Sequence, residues 1–153
     1  MEKDITVIVV NYNTKTLLHR CITSLLEQGE LPAQSIIVVD NDSSDGSAGY
    51  VEAKFPDVQL IKSASNLGFG VANNLALKRI TSKYTLMINP DAAVLPAALG
   101  KLRSFLDNRP EADLVGPKTF YPDMTVQDSV YDFPTIAFEL LKALSLDSLL
   151  GHT

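Results

Sequence analysis

Four polar clusters interrupt a largely apolar pattern, and each carries side chains able to hold a ligand: Asn11-Tyr12-Asn13-Thr14, Asp40 through Ser47, Asn66 through Gly70, and Asn89-Pro90-Asp91. Asp40 follows the apolar run Ile36 to Val39 directly. A carboxylate there is costly unless something pairs with it, and a nucleobase imino or amino hydrogen is one suitable partner. The rest of that cluster has a plainer reading as turn and helix cap, with Asp45 and Ser47 as the capping residues. Asn66-Leu67-Gly68-Phe69-Gly70 either presents free N–H groups to an anion at a helix start or only lets the backbone turn. In Asn89-Pro90-Asp91, the proline holds Asn89 extended. Asp91 is then placed where one carboxylate can begin a magnesium or manganese site completed by phosphate oxygens and water, although the tripeptide also suits an ordinary turn.

The elements that must position these clusters are legible in the pattern. Ile5 to Val10 and Ile36 to Val39 are continuous β-branched runs, as expected of parallel strands covered on both faces. Between them Leu17, Leu18, Cys21, Ile22, Leu25 and Leu26 recur at helical spacing, and Gly29 with Pro32 stops the helix. The alternation continues with a strand at Val58 to Ile61, a helix from Gly70 to about Ile80 with Val71, Leu75 and Ile80 inward, and a strand at Tyr84 to Ile88. Pro96 then opens a helix carrying Leu99, Leu102, Phe105 and Leu106, and Leu114-Val115 begins a further strand. The fold class is therefore α/β, a mainly parallel sheet between helices. In such sheets ligands bind beyond the carboxyl ends of the strands, where all four polar clusters fall.

After Pro117 the rhythm changes. Residues 1–117 read as one α/β core, and residues 118–153 as an irregular flank followed by an amphipathic helix over 136–150. That helix reads first as a core or packing element, and second as a partner or membrane-surface helix. The chain ends at Gly151-His152-Thr153 without a closing strand, which reads as a cut, and apolar surface left there is a route to a homodimer.

At 153 residues with 46% apolar and 20% charged side chains, the chain has enough apolar material for a packed globular core. A net charge of −5 without clustered Lys and Arg argues against a nucleic-acid partner. Cys21 is single, so no internal disulfide forms, and it reads as a small core residue. The N-terminus has no leader-like pattern, and no apolar run approaches the ~20 residues of a spanning helix, so the expected place is the cytoplasm, with the inner membrane face as the alternative.

In order along the chain, VIVVNYN (Val7 to Asn13), VVDNDSSDGS (Val38 to Ser47), NLGFGVANN (Asn66 to Asn74) and MINPDAAV (Met87 to Val94) resemble the family 2 glycosyltransferases of the GT-A fold, within the rhamnosyltransferase-like branch. The resemblance spans about residues 5 to 140 and continues loosely through Asp123 and Phe133-Pro134. It implies a UDP- or dTDP-sugar donor, with Asn11 and Tyr12 near the base or ribose, Asp40 hydrogen-bonding the base, and Asn66, Gly68 and Asn73 lining the nucleotide pocket. The family's Asp-X-Asp signature corresponds to Asn89-Pro90-Asp91, so Asp91 would ligate Mn2+ or Mg2+ while Asn89 offers only a neutral amide to the ribose or sugar.

The family generally inverts, which requires a carboxylate base for the acceptor hydroxyl. The resemblance puts that base in a later segment, so no catalytic residue is assigned, and Asp123, Asp128 and Asp132 read as turn or solvent-facing groups. It further implies a saccharide or lipid-linked saccharide acceptor in surface polysaccharide synthesis, with rhamnose from a dTDP donor as the leading sugar. A nicotinamide-binding domain would need G-x-G-x-x-G where the chain has Asn11-Tyr12-Asn13-Thr14. A noncatalytic nucleotide-sugar-binding or assembly module is the competing functional class.

Overall fold

The computed structural model describes residues 4–129, so the expected helix over 136–150 lies outside the described residues. The chain divides into two units, Met1–Val115 and Gly116–Thr153. The first is built on four parallel strands: β1 (Ile5–Asn11), β2 (Ile36–Asp40), β3 (Gln59–Lys62) and β4 (Tyr84–Ile88), in the order β3-β2-β1-β4. Register places Asn11 beside Asp40 across β1 and β2, and Val9 beside Ile88 across β1 and β4.

Both central strands are buried on both faces because their side chains alternate between two cores. Val7, Val9, Ile36 and Val38 pack with Leu18, Cys21, Ile22 and Leu25 of α1 (Lys15–Glu27), Val51 of α2 (Ser47–Lys54) and Leu99 of α4 (Ala98–Asp107). Ile8, Val10, Ile37 and Val39 face the other way, onto Ala72 and Ala76 of α3 (Phe69–Leu77). Burying each such Val, Ile or Leu stabilises the fold by ~1.5–3 kcal/mol relative to exposure, so the two cores hold the sheet rigid at the edge where the polar loops emerge.

Gly29 ends α1 as expected: its φ of +64° is a left-handed stop, and its N–H returns to the carbonyl of Leu26 at 3.1 Å.

Several expectations are corrected. The third strand runs one residue later than read, over Gln59–Lys62. In α3 it is Ala72, Asn73 and Ala76 that are buried, while Val71 is 52% exposed. The helix sits against β1 and β2 through small residues, which leaves Val71 on the outer side. Pro96 is not the first residue of α4. It stands in a turn closed by Ala98 N–H to Leu95 O at 3.1 Å, with Ala97 at φ +60° capping the helix. Leu114-Val115 forms no strand, and Leu114 is 89% exposed. The helical cover is also incomplete: in β4, Thr85 and Met87 on one face are exposed while Tyr84, Leu86 and Ile88 are partly buried.

In the second unit, β5 (Thr119–Phe120) and β6 (Val126–Gln127) form a short antiparallel hairpin. Asp123 organises its tip, its Oδ1 accepting the N–H of Thr125 at 3.0 Å and the Thr125 hydroxyl at 2.6 Å. Those bonds hold the Asp123 carboxyl below its usual range, with the Thr125 hydroxyl as the largest influence. Asp123 is thus a turn residue, as read from the sequence. No helix among the described residues is long and apolar enough to cross a membrane.

Candidate functional site

The crossover from β1 runs by α1 on one face of the sheet, whereas the crossover into β4 runs by α3 on the other. The connections therefore part between the carboxyl ends of β1 and β4, and that point opens a crevice in doubly wound sheets. An open cleft of about 360 Å3 lies there. Tyr12, Thr14 and Leu17 line it from the β1 side, Asn89, Pro90 and Asp91 from the β4 side, and Asn41, Asn66, Gly68 and Phe69 from the loops after β2 and β3.

Beneath the cleft, side-chain hydrogen bonds join the loops after β1 and β2. Asn11 is fully buried, and its Nδ2 donates to Asp40 Oδ1 and to Ser43 Oγ, both at 3.0 Å. The Thr14 hydroxyl donates to Asn11 Oδ1 at 2.7 Å. Asp40, 4% exposed, takes a second bond at Oδ2 from the Ser43 N–H at 3.1 Å. The buried carboxylate is therefore paired from within the chain, which is how the fold tolerates it at a strand end. One layer out, Asn13 Oδ1 accepts the N–H of Ser44 at 2.7 Å.

The glycine loop is held from β2. Asn41 accepts the N–H of Leu67 at 2.9 Å and donates to Asn66 Oδ1 at 2.9 Å, and that same oxygen accepts the Gly68 N–H at 2.9 Å. Gly68, at φ +76° and ψ 165°, turns the chain into α3, a conformation a side chain would strain. Asn73 donates to the Phe69 carbonyl at 2.9 Å and so braces the first turn of that helix.

At the end of β4 the backbone turns through Asn89-Pro90-Asp91, closed by Ala92 N–H to Asn89 O at 3.1 Å. The Cys21 thiol of α1 also points at that carbonyl, 3.7 Å away, and Ser24 Oγ accepts the Val94 N–H at 3.0 Å. Helix α1 thus fixes the segment that carries Asp91. Burial first, and the nearby Asp91 charge second, push the Cys21 thiol up to about 12. Cys21 is a core residue, as expected, and not a nucleophile.

Of the residues singled out from sequence, Tyr12, Asn66, Gly68, Asn89 and Asp91 converge on the cleft. Asn11, Asp40 and Asn73 lie behind its wall, buried and bonded to the chain itself. Asn41 and Phe69 line the cleft without having been singled out as site residues. The signal for Asn41 was its place next to a strand-ending Asp, and for Phe69 a large apolar side chain between two glycines. Asp91 is the only charged side chain among the described lining residues. A larger depression of about 490 Å3 along α4, from Ala97 to Arg109, is lined by residues at and beside that one helix and gathers no comparable set of strand-end groups.

Residues 6–150 match the model of the glycosyl transferase family 2. The chain is 27% identical over 141 residues to an N-acetylglucosaminyl-diphospho-decaprenol L-rhamnosyltransferase of Mycobacterium tuberculosis (strain CDC 1551 / Oshkosh), covering 85% of this chain and 46% of that protein. It is similar to the structure of S. aureus TarS 1-349 in complex with UDP, with TM-score 0.61 and 25% identity over 69% of this chain and 32% of that one. It is also similar to the mannosyltransferase PcManGT from Pyrobaculum calidifontis in complex with GDP-Man and Mn2+, with TM-score 0.60 and 27% identity over 67% of this chain and 32% of that one. The chain spans under half the length of this curated relative and about a third of these solved structures. The sheet and its flanking helices are GT-A-like.

Proposed function

Because the chain belongs to glycosyl transferase family 2, we propose that its cleft binds a UDP- or dTDP-sugar and that the chain is the donor-binding part of an inverting glycosyltransferase acting in surface polysaccharide synthesis, with a saccharide or lipid-linked saccharide as acceptor. The observation that carries this reading is the convergence of Tyr12, Asn66, Gly68, Asn89 and Asp91 on one cleft at the switch point between β1 and β4. The rhamnosyltransferase relative favours rhamnose as the sugar, while the UDP complex of the structural neighbour favours UDP as the nucleotide. Cytoplasmic placement belongs to the same proposal.

In this reading Tyr12 offers its ring to the base or ribose, Asn66 and Gly68 frame the nucleotide, and Asn89 presents a neutral amide to the ribose or sugar. Asn11 and Asp40 hold the floor beneath the base, and Asn73 braces the loop. Asp91 is exposed and lines the cleft, so it fits the part of a single protein ligand to Mn2+ or Mg2+. Diphosphate oxygens and water would be suitable further ligands beside Asp91, as is usual for Mg2+ held by one or two carboxylates. When bound, the ion neutralises charge developing on the departing nucleoside diphosphate. Asp123 is engaged in its own turn and is assigned no part as the base.

A thermal-shift comparison of UDP, dTDP and GDP, each with and without Mn2+, on this chain and on Asp91→Ala tests the reading. Ligand at ~100 times its dissociation constant adds ~2.7 kcal/mol, or roughly 5–10 °C for a domain of this size. A shift that needs both nucleotide and Mn2+ and is lost in Asp91→Ala is the expected result. The absence of any shift with every nucleotide would overturn it.

A further inference from the structure

Asn41 follows β2 and is 3% exposed, yet both ends of its side-chain amide are committed to one loop. Oδ1 accepts the Leu67 N–H and Nδ2 donates to Asn66 Oδ1, each at 2.9 Å. Its own N–H donates to the Asn11 carbonyl at 2.8 Å, so the tether is rooted in the sheet. The other bonds to the loop are local, from Ser63 to Ser65 and from Asn73 to Phe69, and every residue from Ala64 to Val71 is exposed, with Leu67 and Phe69 37% and 55% exposed. Apolar packing does not order such a segment; hydrogen bonds to a buried anchor do.

We propose that Asn41 is a positioning residue of the cleft, which pre-organises the Asn66–Phe69 loop so that Asn66, Gly68 and Phe69 line the site before ligand arrives. The proposal rests on the reading of the cleft as a nucleotide site. Its mechanism is a population effect: the apparent affinity of a site falls by the fraction of molecules in the competent loop conformation. Releasing the tether so that about one molecule in ten is competent weakens binding about tenfold. Asn41→Ala removes both bonds, whereas Asn41→Ser keeps a shorter hydroxyl that serves at most one of them.

Two measurements test it: residue-resolved amide hydrogen exchange of the free protein, and calorimetric titration with UDP and dTDP in the presence of Mn2+. In Asn41→Ala the amides of Leu67 and Gly68 exchange faster while those of β1 and β2 do not, and nucleotide affinity falls about tenfold. Asn41→Ser falls between the variant and the parent, and it carries the test if the alanine variant does not fold. Unchanged exchange at Leu67 and Gly68, or acceleration shared by the whole sheet, overturns the tether. Faster loop exchange with unaltered nucleotide affinity overturns the positioning role. If the parent protein binds neither nucleotide, the nucleotide reading of the cleft falls, and the exchange data still decide whether Asn41 orders the loop.

Discussion

Asp45 caps α1 from the loop after the next strand: its Oδ2 accepts the backbone N–H of Lys15 at 2.9 Å. Its other oxygen accepts the N–H of Ser47 at 2.9 Å, together with a short bond from the Ser47 hydroxyl, at the start of α2. One carboxylate therefore serves two helix N-termini, where four N–H groups each would otherwise lack partners. Loss of a cap typically costs ~1 kcal/mol, so Asp45→Ala is expected to lower stability by ~1–2 kcal/mol in a denaturant titration.

The same variant gives a pH test. Loss of solvation, the largest single influence, raises the exposed Asp45 carboxyl, but the bonds from Ser47 and Lys15 together outweigh it and hold the group below its usual value. The stabilisation from a depressed carboxyl is complete above the unfolded value of ~3.9 and is lost as pH falls through the lower folded value. The gap between parent and Asp45→Ala should be constant from pH 5 to 7 and narrow below pH 4. A gap that widens on acidification would contradict the double cap.

Beneath the cleft, Asn11→Ala takes from the buried Asp40 carboxylate its bond from the Asn11 amide and leaves it that from the Ser43 N–H. Unpairing a buried hydrogen bond to a charged group costs roughly 2–3 kcal/mol. Asn11→Asp should cost more, because it sets a second carboxylate where the amide now donates. Equal stabilities of the two variants by thermal melting would show that the Asn11–Asp40 bond carries little weight.

Asn89→Asp adds a second carboxylate two residues before Asp91. Affinity for divalent ions rises with ligand charge, so Mn2+ binding without nucleotide should tighten by about tenfold, read by calorimetry or by water-proton relaxation. No change would mean that the residue 89 side chain does not reach the ion.

Cys21 should resist thiol reagents. With its thiol pushed up to about 12, chiefly by burial, almost no thiolate exists at pH 8, and the side chain is inaccessible. Labelling is expected to be slow in the folded protein and rapid in denaturant. Fast native labelling would show that the packing of α1 against the end of β4 opens frequently.

The sequence made some of this legible and hid the rest for identifiable reasons. β1, β2 and α1 could be read because their apolar runs are long and their stop signals strong, from Ile5 to Val10 and at Gly29. The buried face of α3 is only partly visible in the pattern: Ile80 packs inward as its spacing predicts, but contact with the sheet is otherwise made through Ala72 and Ala76, and the larger Val71 is exposed. Leu114-Val115 shows that an apolar pair alone does not make a strand: among the described residues no strand pairs there. Of the site, the strand-end positions Tyr12, Asn89 and Asp91 were readable from topology alone. That Asp40 is paired by Asn11, and that Asn41 grips Asn66, depends on contacts across 29 and 25 residues that no local pattern encodes.

The strand order has a consequence for biosynthesis. β1 is made first but lies between β2 and β4, so one side of it stays unpaired until residues 84–88 have left the ribosome. A nascent chain can join β1, β2 and β3 through α1 and α2 beforehand, since these pairings close over shorter stretches of sequence. The cleft cannot exist at that stage, because Asn89, Pro90 and Asp91 supply one of its walls. During synthesis the cleft therefore takes shape only after the β1-β2-β3 part of the sheet can already have paired.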